Sequence, residues 1–180
     1  VFTWTNDNTD IGLGATGMGN LPSFVAGNAT TADEGATIMV YPSFTNQGVS
    51  CIGSATSFEI TVHPSPTVNP ISNVVVCANG DISPIVFSGN IPVTTYNWIN
   101  DNPAIGLSAM GTGDIPFTIA TNNMVNPIVA NIIVTPSVNN GGLICTGASE
   151  MFTISVKPLR IFTAVSAIEV CAGDDAGPIL

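Results

Sequence analysis

The chain has 180 residues, of which only two are cationic and 12 are acidic, so its formal net charge is −10. Two cations cannot build a basic patch, which argues against nucleic acid as a partner and against binding to an anionic membrane surface. Hydrophobic residues make up 45% of the chain, enough to bury a core. No apolar run reaches the length of a membrane-spanning helix, so membrane insertion is not expected.

The sequence repeats itself with an offset of 94 residues, and 33 of the 86 overlapping positions are identical. The segment Trp4-Thr5-Asn6-Asp7-Asn8 recurs as Trp98-Ile99-Asn100-Asp101-Asn102. Such a period indicates a tandem array in which each repeat is one structural unit. We divide the chain into a partial first repeat (1–64), a complete second repeat (65–158) and the opening of a third (159–180).

Within the second repeat, short segments that alternate between apolar and polar residues are separated by Gly, Asn and Pro. This pattern is typical of an antiparallel β-sandwich, and seven strands in a unit of this length fit an immunoglobulin-like arrangement. The predicted strands are A (72–77), B (84–88), C (94–99), D (within 107–114), E (116–121), F (127–135) and G (151–156). The first repeat would then hold strands C to G, and the third would open with strands A and B.

Strands E, F and G each place alternate residues on one face, and no window shows helical spacing. These residues are Phe117, Ile119 and Thr121 of strand E, Ile128, Ala130, Ile132 and Val134 of strand F, and Phe152, Ile154 and Val156 of strand G, of which the last three are predicted to point inward. A strong turn is expected at residues 139–142, where two asparagines precede two glycines.

Several motifs carry a family resemblance: Tyr96-x-Trp98, Gly111-x-Gly113, Val134-Thr135-Pro136, and the paired Cys-Ala and Cys-x-Gly motifs. With these the chain resembles the PKD-like repeats of very large secreted surface adhesins of Bacteroidetes, including gliding-motility adhesins. The resemblance implies export to the cell surface and a role as a stalk or adhesive filament. Its partners would be neighbouring repeats or the next subunit of a filament. The sequence departs from the PKD motif Trp-x-Phe-Gly-Asp-Gly, since Ile-Asn-Asp-Asn follows Trp98.

Two pairs of residues are candidates for ligand binding. Trp4 and Trp98 could stack on a sugar, but a tryptophan on strand C of a sandwich is typically a core residue, and we interpret both as core markers. Asp7 and Asp101, flanked by asparagines, are weak candidates for calcium, which prefers oxygen ligands. Turn formation explains the same Asn and Asp residues without a metal.

Other motifs carry no enzymatic chemistry, and we expect neither a catalytic residue nor a cofactor. The run 12–17 matches the dinucleotide fingerprint by letters alone, because no helix is predicted after it. His63, the only histidine, has Lys157 as its counterpart and no predicted acidic partner. Asn28-Ala29-Thr30 is the single glycosylation sequon and has no sequon at the matching Asn122.

The four cysteines occupy the same two places in successive repeats: Cys51 matches Cys145, and Cys77 matches Cys171. In an exported array this favours disulfides. Cys77 with Cys145 would stabilise a repeat by roughly 4 kcal/mol in the loop-entropy model. However, the A–B and F–G turns should lie at opposite ends of a sandwich, whereas a disulfide needs Cα atoms within about 7 Å. A staple between consecutive repeats and four free thiols are the alternatives; Cys51 with Cys77 is rejected.

The repeats favour a structural stalk over two alternatives, a carbohydrate- or protein-binding module and an accessory domain of a secreted enzyme. Because Val1 falls inside a repeat, we expect the sequence to be a window on a longer chain. Strands A and B of one subunit could instead complete the first repeat of the next. Trp4 should be half-exposed in the isolated chain, since its repeat lacks those two strands.

Overall fold

The computed structural model describes residues 1–160, 167–173 and 175. This part of the chain is all-β, as predicted, and its helical elements are two single 3₁₀ turns, Thr9–Ile11 and Pro103–Ile105. The strands are β1 (Phe2–Asn6), β2 (Thr16–Met18), β3 (Glu34–Asn46), β4 (Val49–Ile52), β5 (Thr56–Val62), β6 (Val74–Cys77), β7 (Asp81–Ile82), β8 (Thr95–Asn100), β9 (Met110–Thr112), β10 (Thr118–Ile119), β11 (Ile128–Asn140), β12 (Leu143–Thr146) and β13 (Glu150–Lys157).

The second repeat is built from two sheets that share one core. The main sheet has the order β6-β13-β11-β8-β9, and β12 pairs with the end of β11. Neighbouring strands are antiparallel, except that β6 runs parallel to β13. The small sheet pairs β7 with β10 and is extended by a bridge between Ile85 and Ile115.

The first repeat forms one five-stranded sheet around the long strand β3. Strands β1, β4 and β5 all pair with β3, and β2 pairs with β1. Each of β2, β3 and β4 begins and ends 94 residues before β9, β11 and β12, respectively. Within the described residues, the first repeat has no counterpart of β6, β7 or β10.

Several strands span other residues than the sequence predicted. Strands A, C and G appear as β6, β8 and β13. Strand B was predicted at 84–88, but the strand is β7, and that segment contributes only the bridge of Ile85. Strand D is β9, which lies beside β8 in the main sheet. Strand F continues past Pro136 to Asn140 and forms a hairpin with β12, which was not predicted.

The face of strand E that carries Phe117 and Ile119 is turned away from the core. Both side chains are exposed, whereas Ala120 is fully buried. In a half-buried alternating strand the large apolar residues normally face the core. Here β10 lasts two residues, and its pairing with Asp81 and Ile82 of β7 sets the face that meets the core.

The core of the second repeat follows the alternation of β11 and β13. The predicted residues Ala130, Ile132 and Val134 are fully buried, as are Ile154 and Val156 of β13. They pack in one cluster with buried residues of the small sheet, so the core lies between the two sheets. Each fully buried aliphatic side chain of this size contributes roughly 1.5–3 kcal/mol by leaving water.

Each tryptophan lies across a glycine on the neighbouring strand. Trp98 stands opposite Gly111 in the register of β8 and β9, and a Cβ at Gly111 would overlap the six-membered ring of the indole. Trp4 and Gly17 repeat this arrangement. Both indoles are 4% exposed, so the prediction that they are core residues is confirmed.

The expectation that Trp4 stands half-exposed is wrong. Gly17 lets β2 cover one face of its ring, and the partly buried Leu21 and Phe24 pack against the cluster that contains Trp4. The difference in burial between the repeats appears on β5 instead, where Phe58 is 44% exposed while its counterpart Phe152 is 1% exposed.

The opening of the third repeat is described only in part. The predicted strand A falls on residues 166–171, and the described residues 167–171 form no strand. The predicted strand B would begin at residue 178, and residues 176–180 lie outside the described part of the chain. Strand pairing is absent from residues 167–173, the continuous stretch of this segment that the structure describes.

Replacing Gly111 by Ala should lower the free energy of unfolding by roughly 1–3 kcal/mol, the usual cost of overpacking a filled core. The new methyl group would overlap the indole of Trp98, which has no room to retreat at 4% exposure. Urea denaturation followed by far-ultraviolet circular dichroism, which stays usable when Trp98 is replaced, measures this difference.

The matched control is Met110→Ala, since Met110 is 70% exposed on the same strand and its loss should change stability by less than about 0.5 kcal/mol. In the background Trp98→Phe, which removes the six-membered ring of the indole, Gly111→Ala should cost less. An equal cost in both backgrounds would show that the glycine is not required by the tryptophan.

Candidate functional site

A buried asparagine holds the loop that follows the tryptophan strand in each repeat. The side-chain Nδ2 of Asn100 donates to the carbonyl oxygens of Leu107 at 3.0 Å and Ser108 at 3.1 Å. Its Oδ1 accepts the backbone N–H of Asn102 at 2.9 Å. Asn6 makes the equivalent three bonds 94 positions earlier. A buried amide whose bonds are satisfied in this way fixes the loop rather than a ligand.

The two calcium candidates tie the same loop to the long central strand. The Asp101 carboxylate accepts the backbone N–H of Asn131 at 2.7 Å and the side-chain amide of Asn131 at 2.6 Å. The Asp7 carboxylate accepts the backbone N–H of Thr37 at 2.7 Å. The hydrogen bond from the Asn131 side chain, followed by that from its backbone, lowers the pKa of Asp101 below its usual 3.8.

The carboxylate of Asp7 is hydrogen-bonded to β3, and that of Asp101 is hydrogen-bonded to β11. Within the described residues, no group of three His, Cys, Asp or Glu side chains stands close enough to hold a metal. Calcium prefers six to eight oxygen ligands. Calcium binding at Asp7 or Asp101 therefore stays a prediction that the structure neither supports nor tests.

His63 has the acidic partner that the sequence did not predict. Its Nδ1 lies 2.7 Å from Oδ1 of Asp33, on the surface next to the end of β5. The pair was missed because Asp33 lies 30 residues earlier, and strand pairing of β3 with β5 brings the two together. Both side chains are partly exposed, with 23% and 56% of their surfaces accessible, so this is a contact on the protein surface.

The sequon residue Asn28 has a structural role. Its Nδ2 donates to the carbonyl oxygens of Ala32 and Val62, each at 2.7 Å. The matching Asn122 makes the same kind of bond to Val156 at 2.8 Å and is buried. Because glycosylation would replace a hydrogen on this nitrogen, modification of Asn28 would break a bond that closes the loop onto β5.

The glycine run at 12–17 has a structural explanation in place of a nucleotide. Gly12 ends a 3₁₀ turn with a positive φ of 95°, and Gly17 lies beneath Trp4. The segment continues into β2 rather than a helix. The interpretation of this match as chance agrees with the fold, since a pyrophosphate site needs a following helix.

All four cysteines carry free thiols in the structure. Cys77 of β6 lies opposite Lys157 of β13, one residue beyond the position of β13 that pairs with Ile128 of β11. Cys145 of β12 lies opposite Val138, near the other end of β11. Ten residues of strand separate Ile128 from Val138, about 33 Å at 3.3 Å per residue. The two thiols of the second repeat thus lie at opposite ends of the sheet, far beyond the reach of a disulfide.

A shallow apolar groove of about 370 Å³ opens at one end of the first repeat. It is lined by Val1, Phe2, Pro42, Ser43, Phe44, Cys51, Ile52 and Gly53. In the second repeat the equivalent place is occupied, because Pro66 is fully buried and its carbonyl oxygen lies against Gly147. One signal for this difference is present in the sequence, since residues 1–64 hold no counterpart of the predicted strands A and B.

No protein-family model matches this chain, and no curated protein sequence matches it. Among the described residues, no helix is long and apolar enough to cross a membrane.

Replacing Asp101 by Asn should destabilise the second repeat at neutral pH, because a neutral amide gives a weaker acceptor and sets two amides against each other at Asn131. The pKa of Asp101 is depressed in the folded state, so its contribution is present above the unfolded value of 3.8 and is lost as pH falls through the folded value. Urea midpoints of the two proteins should therefore converge below about pH 3.8.

Asp10→Asn serves as the control, since no hydrogen bond or ion pair of the Asp10 carboxylate is found in the described part of the chain. It should shift the midpoint little at any pH. If the urea midpoint of Asp101→Asn stays equally far below that of the wild type in acid, the result would contradict the role of the charge.

Mapping of disulfide-linked peptides tests the separation of Cys77 from Cys145. We expect no peptide that joins Cys77 to Cys145, even after mild oxidation, because the fold holds them about 33 Å apart. Mass-spectrometric peptide mapping of the unreduced protein detects such a link directly. Its presence as the main species would overturn the strand register described above.

Proposed function

We propose that this chain is a segment of the structural stalk or filament of a large secreted cell-surface adhesin. In this proposal it is built from tandem immunoglobulin-like, PKD-like β-sandwich repeats of 94 residues. The observation that carries the proposal is the matched pair of tryptophan-over-glycine contacts, Trp4 with Gly17 and Trp98 with Gly111. They recur at the repeat offset together with the buried Asn6 and Asn100.

Retention of the scaffold and variation of the loops favour a stalk over a binding module. Positions that build the fold, including the loop residues Asn6 and Asn100 that hold it, keep their identity, while other positions of the same loop change from Asp10 to Ala104 and from Gly14 to Ser108. A shared ligand site would be expected to keep its loop residues from repeat to repeat. Both tryptophans are buried, so neither offers an open face on which a sugar ring could stack.

The charge and the way the loops are fixed suit an extended array outside the cell. A net charge of −10 keeps long tandem chains apart and soluble. The loops are held by protein hydrogen bonds from side chains such as Asn100 and Asp101, so the scaffold as proposed requires no cofactor. Its partners are the neighbouring repeats of a long chain or the next subunit of a filament.

Immunogold electron microscopy of intact cells of the source organism tests this function. An antibody raised against residues 65–158 should label fibres that extend from the outer surface without permeabilisation. A strain that carries Gly111→Ala should show fewer or shorter fibres, and the matched Met110→Ala strain should resemble the wild type. Label that appears only after permeabilisation would contradict the proposal.

A further inference from the structure

The outward face of the main sheet in the second repeat carries a row of large apolar side chains. The row crosses four neighbouring strands at one level, because Ile133 of β11 lies opposite Ile99 of β8 and Met151 of β13. Ile99 in turn lies opposite Met110 of β9. Side chains directly opposite one another on one face of a sheet interact, so these four form one continuous patch, the apolar row.

The apolar row faces away from the core. On β8, β11 and β13, the residues next to its members in sequence are buried between the two sheets. Ile99, Met110 and Met151 are 54%, 70% and 59% exposed, and Ile133 at the centre is partly buried. Isolated apolar residues on a surface need no explanation, but a contiguous exposed patch marks an interaction site.

The first repeat shows that the fold does not need this row. At the matching places, 94 residues earlier and in the same register, stand Thr16, Thr5, Met39 and Ser57. Small polar residues therefore replace three of the four apolar side chains in a sheet with the same pairing. The apolar character of this face belongs to the second repeat, and strand pairing does not account for it.

The strands of this face also carry no acidic side chain on their outward positions. On β8, β9, β11 and β13, the one charged residue that points outward is Lys157, at the end of β13. Beside the row, Thr153 takes the place of Glu59 in the first repeat. A net charge of −10 makes copies of this chain repel each other, so a face without acidic side chains is where two copies can meet.

The order of the row is the same in both directions, Met-Ile-Ile-Met. We propose that the outward face binds the same face of a second copy of this chain, about a two-fold axis that runs parallel to the strands between β8 and β11. This axis places Ile99 against Ile133 of the second copy, and Met110 against Met151 of the second copy. A two-fold interface pairs one patch with itself, and two sheets pack face to face with their strands nearly aligned.

The size of the face fits a weak, reversible dimer. Five strands about 4.8 Å apart, and eight residue steps along β11, give a flat footprint of about 500 Å². Specific interfaces bury about 600 to 1,000 Å² per partner. The relief of the side chains adds to the flat footprint, so the contact falls at the lower end of this range. We therefore expect a dissociation constant in the micromolar range.

The inference goes beyond the proposed stalk, because it concerns how two chains pair side by side and not how one chain extends. The association needs no cell surface, so it does not rest on the proposed function. A side-by-side contact leaves the number and length of fibres unchanged. The loss of Met110, at one end of the row, is therefore not expected to shorten them.

Ile99→Thr and Met151→Ser, made together, test the contact, since they introduce the residues that the first repeat carries at the same places. Light scattering coupled to size exclusion, from about 5 to about 500 μM, should show the wild type rising from 18.4 kDa towards twice that mass. The double variant should dimerise at least about tenfold more weakly, because both copies lose apolar contact area.

The matched control is Val86→Ser with Val93→Thr. Both valines are exposed in the second repeat, at 70% and 74%, and neither lies on a strand of the main sheet. This variant should dimerise like the wild type. Far-ultraviolet circular dichroism should show that both double variants are folded. A wild type that is monomeric over the whole range, or a dimer that persists at full affinity after the row is replaced, would overturn the proposal.

Cross-linking tests the two-fold arrangement with small changes to the row. In a chain whose four cysteines are replaced by Ser, one protein carries Met110→Cys and another carries Met151→Cys. An equimolar mixture should form a disulfide-linked dimer on mild oxidation. Neither protein alone should do so, because three strand spacings, about 14 Å, separate like positions across the interface. Links in one protein alone and not in the mixture would overturn the arrangement.

The two proposals fail separately. Surface fibres from a protein that stays monomeric in solution would leave the stalk and remove the side-by-side contact. A dimer that depends on the apolar row, without any surface label, would keep the contact and remove the stalk.

Discussion

The packing of one indole against one glycine governs each repeat. Trp98 can lie flat against β9 only because Gly111 presents no side chain at the point of register, and the same holds for Trp4 and Gly17. This close approach lets the edge strand cover one face of the indole ring. It leaves the Nε1–H of both indoles buried without a hydrogen-bond partner in the described part of the chain, a cost that the burial of the large ring must offset.

The long central strand is the second element on which the fold depends. Strand β11 pairs with β8, β12 and β13, and Asp101 binds its backbone from the loop after β8. The loop is in turn held by Asn100. The polar residues that suggested turns or calcium ligands in the sequence therefore link the tryptophan strand to the centre of the sheet by hydrogen bonds.

The two repeats differ in how far their last strand, β5 or β13, is covered by other strands. Both have the same central sheet, but β13 is covered by β6 and backed by the small sheet, while β5 pairs with β3 alone among the described residues and Phe58 is exposed.

The sequence alone determined the all-β class, the burial of Trp98 and the buried faces of strands F and G, because these follow from local alternation and from the place of a tryptophan on strand C. Tertiary structure decided what depends on partners far apart in the chain. The inward face of β10 comes from its pairing with β7, the Asp33 contact of His63 from the pairing of β3 with β5, and the burial of Trp4 from Gly17 and Phe24. The separation of Cys77 from Cys145 was expected from strand order, but its size depends on a register that extends β11 through Pro136 to Asn140, where proline had suggested an end.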